Sequence, residues 1–379
     1  MKCWIFFWFG FSVLLLAGSC RKPYEPEVLQ RDYRFLVVNG VVNVASGGQT
    51  HINLSRTKGL QDTVIIVPEP GAQVSIETDN GQIYSVPSVN DLGDYQSAPL
   101  YLSPNGRYRL NIETSDGRVY RSAFVEPLIT PPIDSVTWKQ PGDLTIYVNS
   151  HDPTGNARFF RWDYVETWEY HAQLETPWTV IGDKVYIADN SNQGNYCWTG
   201  QFSSMIILGN SAALSEAVIS EQPLLTIPNP DVRLNWKYSI LVNQYALTTE
   251  AYHYWQIVEK NSQELGTLFD QLPSNLNGNL ESLTDANEPV LGYISATAVE
   301  SKRILIDRRE LNDWSQVLPA DECNKLAIDY NPLAYPQWDY TDPTVTLWYF
   351  MTGGGAWVAK KSCLDCRLQG GTNQKPSYW

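Results

Sequence analysis

The sequence is poor in several residue types on which common protein functions depend. Its 379 residues include only 4 histidines, and 27 lysines and arginines stand against 41 aspartates and glutamates, a formal net charge of −14. This acidic balance excludes a nucleic-acid backbone or an anionic lipid surface as the main partner. The histidines show no zinc-ligand spacing to one another or to the cysteines, so we expect no metal site. They are His51, His151, His171 and His253.

Long apolar runs are also scarce. The one long run extends from Trp4 to Leu16, near the start of the chain. A bilayer-spanning helix needs about 20 apolar residues, so this run is short for a span, and no later stretch approaches that length. The run follows the basic Lys2 and ends in the small residues 17–19, an order typical of a secretory signal. We therefore predict that residues 1–19 form a signal peptide and that the protein is exported.

Cys20 follows the small residues directly, and this stretch resembles a bacterial lipobox. In such a site small side chains let the peptidase reach the bond before a lipidated cysteine. Ala17 stands where leucine is usual, and Leu16 lies one position further out. The alternative is an ordinary signal peptide with an incidental cysteine, but we favour lipidation of Cys20. Each buried methylene contributes about 0.8 kcal/mol, so several acyl chains would hold the protein at a membrane, with residues 20–34 as the tether.

Signatures of common enzymes are missing as well. The sequence has no G-x-S-x-G elbow, no H-E-x-x-H motif and no phosphate-binding glycine loop, and we interpret Gly353–Gly355 as a bend. Asp163, Glu166 and Glu169 lie close in sequence, and a β-rich glycosidase needs only two carboxylates. A carbohydrate-active enzyme that uses Asp163 and Glu169 is therefore a minor hypothesis. Solvated surface acids are the commoner explanation, and we predict no enzymatic activity and no cofactor.

After Cys20 the chain has an even number of cysteines, which favours two disulfides in an oxidising compartment and leaves three pairings open. The last two form a C-x-x-C, but no βαβ pattern precedes them, as a thioredoxin-like redox centre requires. We predict structural crosslinks that stabilise an irregular tail over residues 311–379, packed on the preceding domain. The disulfide candidates are Cys197, Cys323, Cys363 and Cys366.

Short strands with tight turns predict a mainly β protein that begins with an immunoglobulin-like β-sandwich over residues 35–127, with a carboxypeptidase-regulatory-like topology as a variant. Asn80-Gly81 and Asp116-Gly117 supply the positive φ angles of two-residue hairpin turns. Prolines stiffen residues 128–134, which we interpret as a hinge.

A second β-rich, sandwich-like domain is predicted over residues 135–310. Within it, a helical period near residues 249–262 predicts one helix, with Thr248 or Thr249 as its cap. Residues 288–308 return to strand character, and we expect them to complete the second sheet.

One predicted strand near residues 157–172 carries a row of aromatic residues on one face at a period of two, interrupted by Glu166. A row facing a sandwich core is the commoner outcome, and a stacking platform for a sugar or peptide is the alternative. The candidate binding face consists of Trp162, Tyr164, Trp168 and Tyr170, in line with Phe160.

Four long segments of the chain form ordered signatures: KYSILVNQYALTTEAYHYW, LGTLFDQLPSNLNGN, EPVLGYISATAVESKRILIDR and CLDCRLQGGTNQKPSYW. Together they resemble an outer-membrane lipoprotein family that is classed as a domain of unknown function and whose genes often neighbour TonB-dependent receptors. The resemblance implies an N-terminal immunoglobulin-like sandwich, a second β domain and partnership with a transporter barrel. It supplies no catalytic residues, and Ser282 stands near a position where members often have cysteine, so no disulfide pairing is carried over.

These observations give two hypotheses for function. The first is a non-enzymatic lipoprotein on the cell-surface or periplasmic face of the outer membrane, acting as accessory or binding partner of a TonB-dependent receptor or another outer-membrane barrel complex in nutrient uptake. The second is a structural subunit of an outer-membrane assembly or secretion complex. Neither involves nucleic acid.

Replacing Cys20 with alanine should prevent lipidation and move the protein from the membrane fraction to the soluble fraction, because the acyl chains would be the anchor. Fractionation and intact-mass analysis of protein from the native bacterium measure this. Cys3→Ala, inside the predicted signal peptide, is the control and should leave the protein on the membrane. A wild-type mass without acyl chains, or one that retains residues 1–19, contradicts the prediction.

Overall fold

A computed structural model describes residues 34–57, 66–181, 184–189, 193–263, 278–317, 323, 326–328, 344–352 and 356–379. The predicted signal peptide, Cys20, the tether up to residue 33 and Gly353–Gly355 lie outside the described residues. The described chain is mainly β, as predicted.

The strands, in chain order, are β1 (Leu36–Asn43), β2 (His51–Arg56), β3 (Val67–Pro68), β4 (Gln73–Thr78), β5 (Ile83–Ser85), β6 (Asp94–Gln96), β7 (Tyr108–Glu113), β8 (Val119–Ser122), β9 (Pro127–Leu128), β10 (Ile133–Lys139), β11 (Leu144–His151), β12 (Phe159–His171), β13 (Trp178–Ile181), β14 (Lys184–Ile187), β15 (Tyr196–Phe202), β16 (Ile207–Asn210), β17 (Val218–Ile227), β18 (Lys237–Leu247), β19 (Leu280–Ser282), β20 (Ala296–Thr297), β21 (Glu300–Asp307), β22 (Leu326–Ile328), β23 (Val345–Phe350) and β24 (Ala356–Lys360). The α-helices are α1 (Thr249–Gln263) and α2 (Lys361–Leu364), and short 3-10 turns lie at Val232–Leu234, Arg308–Glu310 and Cys366–Gln369.

Two sheets form the first sandwich. One has the order β3-β2-β1-β20-β9 with β6 on β2, and the other has the order β19-β8-β7-β4-β5. Alternate side chains point inward, so that Ile76, Leu110 and Ile112 are buried in the core between the sheets. Gly81 (φ +86°) and Gly117 (φ +83°) take left-handed conformations in the β4–β5 and β7–β8 turns. Both predicted hairpins are confirmed, but not their two-residue turns: Thr78 bonds Gln82 and Thr114 bonds Arg118 across three-residue loops, and only the glycine of each predicted pair has a positive φ.

The first sandwich is completed by residues far along the chain, which corrects our expectation for residues 288–308. β19 pairs with β8, and β20 lies parallel between β1 and β9, while only β21 joins a sheet of the second sandwich. Val290, Ile294 and Ala296 are buried in the core of the first sandwich. A period-two pattern shows which side chains are buried but not which sheet receives them. The expected boundaries of the two domains shift accordingly.

The second sandwich packs the sheet β10-β11-β17 on the sheet β15-β12-β18-β21, with β16 also paired to β12. Its core contains Ile146 and Val148 from the first of these sheets and Phe160, Trp162 and Ile240 from the second. The long β12 is central, because β15 and β16 pair along one edge and β18 pairs along the other.

Helix α1 lies between the two sandwiches. Thr248 caps it by accepting a hydrogen bond on Oγ1 from the backbone N–H of Ala251 (3.2 Å), and the predicted helix near 249–262 is confirmed. The buried Tyr252 packs in a cluster with Val41 of β1 and Phe159 of β12. The helix therefore contacts both sandwiches.

Buried hydrogen bonds join the proline-rich segment to both sandwiches. Thr130 donates from Oγ1 to Thr297 Oγ1 of β20 (2.7 Å) and accepts from the backbone N–H of Ala246 in β18 (3.0 Å). Gln244 of β18 donates from Nε2 to the Pro131 carbonyl (2.8 Å). We call this set of contacts the junction, and it makes the predicted hinge a fixed connection.

The tail is more regular than we predicted. β22, β24 and β23 form a three-stranded sheet that leads into α2. The β-branched Val345 and Thr346 and the aromatic residues 348–350 of β23 favour strand formation, a signal that the surrounding tryptophans and prolines obscure in the sequence. Disulfides join Cys197 to Cys366 and Cys323 to Cys363, which confirms the predicted crosslinks.

Opening the disulfide between Cys197 and Cys366 should lower stability more than opening the one between Cys323 and Cys363. The two bonds close loops with sequence separations of 169 and 40 residues. In the chain-entropy description the longer loop contributes about 1 kcal/mol more, within a usual range of about 2–5 kcal/mol for each bond.

Urea unfolding midpoints of the two double-serine variants measure this difference. Equal midpoints contradict the predicted difference in stability.

Thiol labelling of the wild-type protein under denaturing, non-reducing conditions should find no free thiol at Cys363 or Cys366. Labelling at both cysteines would overturn the assignment of the two disulfides.

Candidate functional site

The aromatic row of β12 does not form an accessible binding face. Trp162 is 0% exposed and Tyr164 is 4% exposed, and both lie in the core of the second sandwich. Trp168 packs at the edge of that core, and Tyr170 donates a hydrogen bond to the Cys366 carbonyl (2.7 Å). The platform interpretation is wrong for Trp162 and Tyr164, because their side chains fill the space between two sheets, while Trp168 packs against the same core and Tyr170 packs against the disulfide-bonded Cys197 and Cys366.

The opposite face of β12 borders a cleft between the two sandwiches, with a cavity volume of ≈1200 Å³. β12, β18 and β21 form one wall, β1, β2 and β6 form the other, and α1 also lines it. The exposed Phe202 and Met205 lie on the lining as well. We take this cleft as the candidate site.

A cross-strand row of polar side chains lies on the wall that belongs to the second sandwich. Asp163, Asn243 and Ser301 occupy the same register on β12, β18 and β21. Asn243 donates from Nδ2 to Asp163 Oδ1 (2.8 Å), and Ser301 donates from Oγ to Asn243 Oδ1 (2.7 Å). These bonds orient the amide and leave hydrogen-bonding capacity on each side chain.

A similar row lies on the wall that belongs to the first sandwich. Asn39, Asn53 and Asp94 share one register on β1, β2 and β6. Asn53 donates from Nδ2 to Asp94 Oδ1 (2.6 Å), and Asn90 donates to the other oxygen of this carboxylate (2.8 Å). The cleft therefore presents an acid and amides on both walls.

Arg161 attaches α1 to the wall of the second sandwich. Its guanidinium lies over the rings of Tyr245 (4.6 Å) and Trp255 of α1 (4.3 Å). Its Nη2 is 3.6 Å from Asp163 Oδ2, and its side chain is 12% exposed. The buried Nε has no hydrogen-bond partner. Cation–π attraction in a partly dry site stabilises this packing and fixes where Trp255 borders the cleft.

The tyrosines of the cleft stay neutral. Burial raises the pKa of Tyr254 to about 12. The pKa of Tyr245 is also raised, mainly by burial and to a smaller extent by the nearby Asp163 carboxylate. Both phenols remain hydrogen-bond donors across the physiological pH range. Among the described lining residues, the aspartates and arginines are Asp94, Asp163 and Arg161, and none is a glutamate or lysine.

The three carboxylates of β12 do not form a glycosidase pair. Asp163 and Glu169 share a face but lie six residues apart, about 20 Å along a strand. Catalytic carboxyl groups are about 5–9.5 Å apart. Glu166 points to the other side, as predicted, and accepts hydrogen bonds from Arg233 (2.8 Å) and Tyr238 (2.7 Å) in the interior.

Glu169 lies on the same face of β12 as Asp163, near the C-terminal end of the strand. It lies 2.6 Å from His171 Nε2 and accepts a hydrogen bond from the Trp379 indole (2.8 Å). The His171 hydrogen bond lowers the pKa of Glu169. Glu169 therefore anchors the end of the tail to β12.

Two features are absent from the described residues. No helix among them combines the length and apolar character that crossing a membrane requires. Within the same residues, no group of three or more histidine, cysteine, aspartate or glutamate side chains is placed to hold a metal ion.

The profile of one family, described as domain of unknown function (DUF4249), matches residues 21–303. The chain belongs to the DUF4249 family. The matched region contains both polar rows, Arg161 and α1, whereas three of the four disulfide cysteines lie beyond residue 303. The cleft is thus built from the DUF4249 region, and the tail over residues 311–379 lies outside it.

Comparison with other proteins adds little to this family assignment. Among solved structures, the chain is similar to a DUF4785 family protein from Legionella pneumophila at 14% identity and a TM-score of 0.18, covering 49% of this chain and 56% of that one. The chain thus spans little more than half the length of that protein. No curated protein matches the sequence.

The contact between Arg161 and Trp255 should stabilise α1 against local opening. In a double-mutant cycle of Arg161→Met and Trp255→Leu, we expect a coupling energy of about 0.5–2 kcal/mol, because the charge stacks on the ring in a largely buried site. Hydrogen exchange of the α1 amides in the four proteins measures it.

The pair of the exposed Lys139 and the half-buried Tyr147, with Nζ 5.4 Å from the ring centroid, is the control. The cycle of Lys139→Met and Tyr147→Leu, measured through the amides of β10 and β11, should give a smaller coupling. Equal couplings at the two sites contradict the role given to Arg161.

Proposed function

We propose that the protein is a non-enzymatic lipoprotein, anchored to the outer membrane through Cys20, that acts as accessory or binding partner of a TonB-dependent transporter and holds cargo in the cleft. The observation that carries the proposal is the cleft, a cavity of ≈1200 Å³ bordered by both sandwiches and α1. Ligand sites are concave, largely preformed and typically about 300–1,000 Å³ in volume. The cleft has room for a cargo of this size.

Rigidity of the cleft supports binding. The junction holds the sandwiches through the buried side chains of Thr130, Gln244 and Thr297. A preformed site does not spend binding free energy on closing a hinge. The walls can therefore present their polar rows to cargo without rearrangement.

The engagement of the carboxylates supports a non-catalytic role. A general acid must be able to give up a proton to its substrate. Glu166 is buried against Arg233, and Glu169 is bonded to His171 and Trp379. Both acids serve the fold, which leaves Asp163 without a catalytic partner on β12.

Exposed apolar side chains on the cleft lining support a protein partner. Phe202 is 81% exposed and Met205 is 53% exposed. Apolar groups of this size beside a polar cleft are typical of an interaction surface. The family resemblance supplies the candidate partner, a TonB-dependent receptor, since the genes of such receptors often neighbour those of the family.

The protein should copurify with a large outer-membrane barrel from its native bacterium after gentle detergent extraction. An affinity tag inserted at the exposed Asn80-Gly81 turn avoids both the lipid end and the docked tail, and mass spectrometry identifies what is recovered. Replacing Phe202 and Met205 together with serine should reduce recovery of the barrel, because both side chains would lie in the interface.

Ile83→Ser is the matched control, because Ile83 is 65% exposed and does not line the cleft. Consistent recovery of the wild-type protein as a free monomer contradicts the proposal.

Deletion of the gene distinguishes the proposed function from the structural-subunit alternative. Loss of growth on one nutrient supports cargo uptake, and broad envelope defects support a scaffold.

A further inference from the structure

We propose that the cargo of the cleft is a neutral oligosaccharide. This proposal deepens the proposed function and rests on it, since it gives the chemical class of what the cleft holds. Four properties of the lining carry it: the hydrogen-bonding groups, the charge balance, the pairing of the backbone and the size of the cavity.

The polar rows match hydroxyl groups. Asn39 and Asn53 on one wall and Asn243 and Ser301 on the other each combine a donor with an acceptor. A sugar hydroxyl also donates and accepts, so it can bond either end of a carboxamide. Because Asn243 and Asn53 are each held by a neighbouring carboxylate, little side-chain entropy is lost when a ligand binds them.

The charge balance disfavours anions. Asp94 and Asp163 stand on opposite walls, while Arg161 is the only arginine or lysine among the described lining residues. Its guanidinium already faces Asp163 and two aromatic rings. A polyanionic ligand would meet two carboxylates and little compensating charge, whereas a neutral ligand can donate hydroxyl protons to both.

The backbone of the walls disfavours an extended peptide. Such peptides commonly bind by adding a strand to an open sheet edge. Both walls instead present sheet faces, because β1 pairs with β2 and β20, and β18 pairs with β12 and β21. The backbone N–H and C=O groups of an incoming peptide would therefore face side chains of the walls and no unpaired strand edge.

Apolar surface and volume fit several sugar rings. Trp255 and Val258 of α1 and Val41 of β1 border the same space as the polar rows. The C–H faces of a sugar pack on such surface while its hydroxyls reach the polar groups. The cavity of ≈1200 Å³ exceeds the usual range of about 300–1,000 Å³ for a single small ligand. An oligosaccharide therefore fits better than a monosaccharide.

The test is direct binding to the full-length, detergent-extracted protein. Isothermal titration calorimetry is run with neutral hexasaccharides of α-1,4-glucan, β-1,4-glucan, β-1,4-xylan and β-1,4-mannan, with hexagalacturonate as the anionic comparison. We expect at least one neutral hexasaccharide to bind and hexagalacturonate to bind more weakly. Asn243→Ala and Asn53→Ala should each weaken binding by about 3- to 10-fold, since each removes hydrogen bonds from one wall.

Asn111→Ala is the matched control. Asn111 donates to Glu77 (2.8 Å) and accepts from Arg121 (2.9 Å) in a comparable row on the other sheet of the first sandwich, outside the cleft. This variant should bind like the wild type. Equal weakening in all three variants, preference for hexagalacturonate, or no binding to any neutral hexasaccharide overturns the proposal.

The two proposals fail separately. If the barrel is recovered but no neutral hexasaccharide binds, the transporter partnership is supported and the oligosaccharide proposal is overturned. If a hexasaccharide binds but the protein is always recovered alone, binding in the cleft is supported and the transporter partnership is overturned.

Discussion

Buried hydrogen bonds at the junction determine where the two sandwiches lie relative to each other, and the cleft depends on this placement. Gln244 is fully buried, accepts from the Trp162 indole (2.8 Å) and donates to Pro131 and to Ser150 (2.9 Å). A buried polar group that loses its partner costs about 1–3 kcal/mol. Gln244 thereby holds the segment around Pro131 on the second sandwich, and the adjacent Thr130 bonds both Thr297 of β20 (2.7 Å) and Ala246 of β18 (3.0 Å), so these contacts join the two cleft walls.

Chain order reinforces this constraint. The second sandwich is inserted between β9 and β19, so residues 278–298 must return to the first sandwich before its sheets are complete. The path then leaves again, and β21 joins β18. Helix α1 precedes the return and packs on Val41 and Phe159 from the two sides. The sandwiches thus share their connections and are not two units on a flexible linker.

Local chemistry made part of this fold predictable from the sequence. The Asn80-Gly81 and Asp116-Gly117 turns, helix α1 and the crosslinked cysteines follow from turn angles, period and compartment. The pairing of strands far apart in the sequence could not be predicted in this way. Nothing local indicates that β20 lies between β1 and β9, because alternation gives the buried face and not the partner strand. Most of the cleft was also hidden, since Arg161 and Asn243 are ordinary polar residues until neighbouring strands bring them together.

The two faces of β12 explain why the aromatic row, although conspicuous in the sequence, does not locate the candidate site. Trp162 points inward, fills the core and bonds Gln244, so it acts on the site through the junction. Arg161 and Asp163, its neighbours in sequence, point outward and border the cleft. One strand therefore supplies both the rigidity and the chemistry of the site, because a period of two places adjacent residues on opposite faces. The large apolar side chains stabilise the wall, and the smaller polar ones between them determine what it can bind.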